Sequence, residues 1–156
     1  MNVLKIETTS ESSLYDFGKM LSEYLLPNMT VFLKGDLGAG KTTLSRGVLH
    51  GKGHEGKVKS PTYNILENYN FDNFIIYHFD LYRVKDLEEL EFMGFRDYFH
   101  KDSICLIEWP EIAMNILHEP DLVIDINFKN DNRVLYITSK SKELLSTLTQ
   151  KIANEN

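Results

Sequence analysis

The chain holds one cysteine, four prolines and one tryptophan in 156 residues, and no long uninterrupted apolar run. A single thiol excludes a disulfide framework, which fits a reducing cytosol. Cys105 sits inside Ile104-Cys105-Leu106-Ile107 and is expected to be a small core residue. No stretch approaches the roughly eighteen apolar residues that span a bilayer. The first residues, Met1–Glu7, have neither a basic region followed by an apolar segment nor a cleavage site. No membrane span and no leader are therefore expected, and the chain is placed in the cytoplasm. Arginine is scarce as well, with only Arg46, Arg83, Arg96 and Arg133, and the net charge is −6. A domain that grips RNA or DNA phosphates by itself is normally basic. Lys52, Lys57 and Lys59 make only a local basic patch, so autonomous nucleic-acid binding is disfavoured. Repeats, low-complexity segments and linkers are absent, and residues 1–156 are expected to form one domain whose core needs no disulfide or metal.

What the chain does have is a glycine loop, Gly35-Asp-Leu-Gly-Ala-Gly-Lys-Thr42. The pattern G-x-x-x-x-G-K-[ST] has a mechanical reason at each fixed position. Gly35 and Gly40 let the backbone turn tightly and bring its N–H groups against phosphate oxygens. Lys41 supplies a cation for the β- and γ-phosphates, and the Thr42 hydroxyl is placed to ligate Mg²⁺. The apolar segment Thr30–Lys34 before the loop predicts a strand, and Thr42–His50 after it predicts a helix whose N-terminus faces the anion.

Other segments read as follows. Thr8-Thr-Ser-Glu11 has the form of a capping box, opening a helix through Leu14, Phe17, Leu21 and Leu25 that Pro27 stops. The glycine- and lysine-rich segment 51–60 predicts a mobile loop. Strands are predicted over Thr62–Tyr69 and Phe74–Phe79, a helix over Leu87–Phe92 capped by Asp86, and a further helical stretch up to Phe99. Ser103–Glu108 reads as a buried strand, and Leu122–Phe128 and Val134–Thr138 as a hairpin. From Ser141 a last helix carries Leu144, Leu145, Leu148 and Ile152. Helices interleaved with apolar strands give an α/β fold: a P-loop NTPase-type three-layer sandwich with a mixed, mainly parallel central sheet plus antiparallel strands.

Two apolar strands end in carboxylates, Phe74–Asp80 and Ile104–Glu108. Strand ends deliver side chains to the sheet edge that carries the loop. One carboxylate can serve the Mg²⁺ shell while the other orients or deprotonates an attacking water, and spacing does not say which does which. Ser60-Pro61-Thr62 offers two hydroxyls on a stiffened segment that could close over a γ-phosphate, or simply turn. His78 reads as an orienting base or a buried structural histidine, and Arg83 as a phosphate clamp or an anchor for Asp80. His50 and His54 are parted by glycines and make no helical metal face, while Tyr82 and Trp109 read as packing groups. The N-K-x-D element that reads guanine is absent, which favours ATP, with Glu11 and Arg133 as candidate adenine-side contacts.

With these residues in view, the chain resembles the bacterial tRNA threonylcarbamoyladenosine biosynthesis ATPase family, TsaE (also called YjeE). The resemblance rests on Gly35–Thr43, Lys59-Ser-Pro-Thr-Tyr63, His78-Phe-Asp-Leu-Tyr-Arg83, Leu90-Glu-Phe-Met-Gly94 and Ile107-Glu-Trp109. It implies a compact P-loop protein that binds ATP and Mg²⁺, hydrolyses ATP slowly alone, and keeps a TsaB–TsaD complex turning over. It further implies phosphate contacts from Gly38, Ala39, Gly40, Lys41, Thr42 and Thr43, with Thr42 and Glu108 on the metal side. Asp80 would position the water, and Trp109 and the Ser60–Thr62 loop would respond to nucleotide state. The free protein is expected to be monomeric and to meet tRNA only through its partners. Arg133 lies outside the matching motifs. The rival readings are a small-molecule kinase, disfavoured by few arginines and little length for a lid, and a switch whose hydrolysis is dispensable.

Overall fold

The computed structural model describes residues 2–155; Met1, where the N-terminal reading begins, and Asn156 lie outside the described residues. The chain runs β1 (Leu4–Thr8), α1 (Glu11–Ser22), β2 (Thr30–Lys34), α2 (Lys41–Gly51), β3 (Leu66–Asn70), β4 (Ile75–Asp80) and α3 (Leu87–Phe92). A 3₁₀ turn (Phe95–Tyr98), β5 (Ser103–Glu108), a second 3₁₀ turn (Pro110–Ala113), β6 (Leu122–Lys129), β7 (Asn132–Ser139) and α4 (Lys142–Glu155) follow. The strands form one seven-stranded sheet in the order β1-β7-β6-β2-β5-β4-β3. Its centre, β6-β2-β5-β4, is parallel, and antiparallel pairs close both flanks. Every residue of β5, and all of β2 but Lys34, is buried, as a strand covered on both faces requires.

Alternation along the strands divides the core. Val31, Leu33, Ile104 and Leu106 point to one cluster with Leu14 and Leu21 of α1, Leu44 and Val48 of α2, and Leu148 of α4. Phe32, Phe79, Cys105 and Ile107 point to the other, against Leu90, Phe95 and Ala113. Three layers result, one of full helices and one of short turns. Cys105 is buried as expected, and burial pushes its thiol up to about 12.

Several elements depart from the sequence reading. Helix α1 starts two residues later than the Thr8–Glu11 box implies. Its cap is Ser10, whose side chain accepts from Ser13 N–H, and the helix ends at Ser22, although Leu25 is still buried. The residues before it form β1, an edge strand that the sequence reading did not include. The strand expected from Thr62 begins only at Leu66, because Pro61–Asn64 turns, with Asn64 N–H donating to Pro61 O at 3.1 Å. Elsewhere the agreement is close: Thr30–Lys34, Leu87–Phe92 with its Asp86 cap, and Ser103–Glu108 form as read.

Helices α1 and α2 meet backbone to backbone through glycine. A Cβ on Gly18 would lie 2.4 Å from Leu44 O, and one on Gly47 2.2 Å from Tyr15 O. This contact seats α1 against the glycine loop, where a Cβ on Gly40 would strike Leu14. We expect Gly47→Ala to force the helices apart and to destabilise the fold by about 1–3 kcal/mol. Urea unfolding checks this; an unchanged midpoint would show that the close approach is not needed.

Candidate functional site

The parallel register does the assembling. Strand β2 feeds the glycine loop, β5 lies beside it, and β4 beside β5, with Asp80 directly opposite Glu108. Both carboxylates therefore emerge at the edge where α2 begins. Gly35, Gly38 and Gly40 all have positive φ (149°, 79° and 117°), and the loop's last glycine directly precedes Lys41 at the helix start.

Thr42 Oγ1 donates to Glu108 Oε2 at 3.2 Å, and His78 Nε2 lies 2.6 Å from the same oxygen. Glu108 is 3% exposed and His78 fully buried. Among the described residues His78 Nδ1 has no hydrogen-bond partner. That fits the tautomer with its proton on Nε2, since a bare buried N–H would be the costlier orphan. His78 thus serves as an orienting group, fixing the carboxylate toward Thr42. Asp80 accepts from Thr62 Oγ1 at 2.9 Å and from Tyr82 N–H at 3.0 Å, and Thr62 in turn pairs with Ser60 Oγ at 2.7 Å. The Ser60-Pro61-Thr62 segment is therefore joined to a carboxylate at the sheet edge.

Lys41 Nζ donates to Gly35 O and, at 3.0 Å, to Asp36 O. It also lies 4.3 Å from the centre of the Trp109 ring. Burial pushes its ammonium below the ordinary lysine range, against the pull of Glu108 and Asp80. A phosphate group would reverse that penalty by supplying negative charge. Lys41, Thr42, Thr62, Asp80, Glu108 and Trp109, with Leu37, Gly38, Gly40 and Thr43, line a cavity of about 240 Å³. Among the described residues no group of three or more His, Cys, Asp or Glu side chains stands ready to hold a metal. The donors present, a threonine hydroxyl and carboxylates, suit Mg²⁺, which is held by few protein oxygens together with substrate phosphates.

A second cavity of about 260 Å³ shares Gly38, Gly40 and Thr43 with the first and extends to Glu11, Arg133 and Asp131. Glu11 is exposed and accepts from Thr43 Oγ1 at 3.3 Å and Arg46 Nη2 at 3.4 Å. Arg133 donates from Nε to Ala39 O at 3.0 Å and stacks on Phe128. Both candidate adenine-side residues therefore border the loop, on the side away from Trp109. Arg83 does not anchor Asp80: its guanidinium lies over Tyr63, 4.5 Å from the ring centre, while Asp80 takes its hydrogen bonds from Thr62 and Tyr82. Tyr82 and Trp109 pack on each other at 4.9 Å. Thr8, Ser10 and Asp131 also line the second cavity but were not read as site residues: Thr8 was taken for a helix cap, and the alternation Leu4-Lys5-Ile6-Glu7 is the signal that would have placed it on β1.

The family model for "Threonylcarbamoyl adenosine biosynthesis protein TsaE" matches residues 8–135, which span the loop, both carboxylates and Arg133. A Haemophilus influenzae tRNA threonylcarbamoyladenosine biosynthesis protein TsaE is 52% identical over 147 residues, covering 89% of this chain and 93% of the relative. The Bacillus subtilis protein of the same name is 36% identical over 132 residues, covering 85% and 82%. Among solved structures, Bacillus subtilis YdiB superposes with a TM-score of 0.79 at 28% identity, covering 99% of this chain and 97% of that one. A glycine loop with two carboxylates at one sheet edge, inside a match of this extent, makes the chain a member of the TsaE family of tRNA threonylcarbamoyladenosine biosynthesis proteins.

Proposed function

We propose that this TsaE-family protein is an ATPase that hydrolyses Mg·ATP to drive the cycle of a TsaB–TsaD partner complex in threonylcarbamoyladenosine modification of tRNA. The observation that carries the reading is the convergence of Lys41, Thr42, Asp80 and Glu108 on one cavity at the sheet edge. In this reading the loop N–H groups from Gly38 to Thr43 and the Lys41 ammonium bind the phosphates. Thr42 and Glu108, the latter oriented by His78, hold Mg²⁺, which when bound neutralises charge on the β- and γ-phosphate oxygens. Asp80 holds the attacking water in line. Glu11 and Arg133 flank the nucleoside end.

Slow turnover in isolation follows from the charge inventory. Lys41 is the one cation among the described residues lining the phosphate cavity. Ras-type sites that lack an arginine at the transferring phosphoryl group are slow until a partner completes them. Coupling to the partner runs through Thr62: a γ-phosphate that drew the Thr62 hydroxyl from Asp80 would move Ser60–Tyr63, and Tyr63 is 82% exposed. The protein acts as a monomer in the cytoplasm and meets tRNA only through its partners.

The test is phosphate release by the purified protein with and without TsaB, TsaD and tRNA, with emission of Trp109 reporting nucleotide binding. Release that the partners stimulate is the expected result; transfer of the γ-phosphate to a small acceptor would establish a kinase instead. Asp80→Asn should keep ATP binding and lower stimulated turnover on the order of 100-fold. Turnover equal to the native protein would remove Asp80 from the water-positioning role. Glu108→Gln should raise the Mg²⁺ concentration needed for half-maximal turnover by about tenfold or more. An unshifted magnesium titration would contradict its place in the metal shell.

A further inference from the structure

Thr8 ends the edge strand β1, in register with Arg133 of β7. Its side chain is 4% exposed, and its Oγ1 is one of two buried side-chain polar atoms that find no hydrogen-bond partner among the described residues. The other, His78 Nδ1, is accounted for by its tautomer. Nothing in the fold uses the Thr8 hydroxyl: a valine would keep the shape and suit a strand at least as well. Burying an unpaired hydroxyl is unfavourable, so a partner from outside the chain, reached by a turn of the Thr8 side chain about χ1, is the economical explanation. Thr8 lines the second cavity with Ser10, Glu11, Leu14 and Arg133, and that cavity continues past Gly38 and Gly40 into the phosphate cavity.

Resting on the ATPase reading, we infer that Thr8 is a nucleotide-binding residue whose hydroxyl hydrogen-bonds the nucleoside part of the nucleotide. A hydroxyl both donates and accepts, so a ribose hydroxyl or a purine edge nitrogen satisfies it. The residue then belongs to affinity for the nucleoside, separate from the loop, which grips phosphate. Because the unpaired group strains only the ligand-free protein, binding and folding should respond to its removal in opposite directions.

The test is calorimetric titration of the full chain with Mg·ADP, Mg·2′,3′-dideoxy-ADP and Mg·pyrophosphate, for the native protein, Thr8→Val and Thr8→Ser. Thr8→Val should bind ADP about five- to tenfold more weakly. Its pyrophosphate affinity should be unchanged and its melting temperature without ligand no lower, while Thr8→Ser keeps ADP affinity. If dideoxy-ADP binds the native protein as weakly as ADP binds Thr8→Val, with no further loss in combination, the partner is ribose; additive losses assign the base. Equal ADP affinity of Thr8→Val and the native protein would overturn the inference and leave the ATPase reading standing. Equal loss of ADP and pyrophosphate, with a lowered melting temperature, would make Thr8 a packing residue only. Native protein that binds neither ligand would overturn the ATPase reading and this inference together.

Discussion

One carboxylate oxygen holds the site together. Glu108 Oε2 lies 3.2 Å from the Thr42 hydroxyl and 2.6 Å from His78 Nε2, so a single atom ties the first turn of α2 to strands β5 and β4. The shell is almost dry, with Glu108 3% exposed. Leaving a buried carboxylate without its donors is far more costly than the bonds are stabilising, so the three groups hold one another in a fixed geometry. The glycine loop can be open and accommodating because its far end is anchored in this way. Lys41 is the exception, an ammonium set in a desolvated position that disfavours its own charge until an anion arrives.

Around this rigid centre lie segments under local strain. Trp109, directly after Glu108, has φ of 59°, and Ile65, whose carbonyl accepts from Asp80 N–H at 2.8 Å, has φ of 66°. For residues without glycine's freedom, such conformations cost about 1–3 kcal/mol each. The two strained residues flank the two carboxylate strands. The lysine-rich stretch leading to Ser60 is fastened by two exposed bonds, His50 Nε2 to Gly56 O and His54 Nε2 to Lys57 O, and by a half-buried one from Lys59 N–H to Tyr69 Oη. Exposed hydrogen bonds of this kind open at low free energy. Rigid carboxylates thus stand beside a weakly held loop.

Much of this was legible in the residues. The glycine loop declared itself through a pattern in which each position has a steric or electrostatic reason. The carboxylates declared themselves through the runs Ile75–Asp80 and Ser103–Glu108, because a buried apolar strand can present a charge only where it ends. What stayed hidden had a weak local signature or none. The edge strand β1 is short and half exposed, and pairs with β7 more than a hundred residues away in sequence. Arg83 lies over Tyr63, and Asp80 takes its hydrogen bonds from Thr62 and the backbone of Tyr82, pairings that no local pattern announces.

By itself, then, the sequence determined the glycine loop, the strands that end in acid and the family to which they belong, since local chemistry at fixed spacing suffices for each. Only the tertiary structure decided which groups share a bond: that His78 serves Glu108, that Thr62 serves Asp80, and that Thr8 lies beside Arg133 with its hydroxyl unpaired. The physical reason is sheet register. Strand order and pairing bring together residues that sequence distance keeps apart, and hydrogen bonds form between neighbours in space.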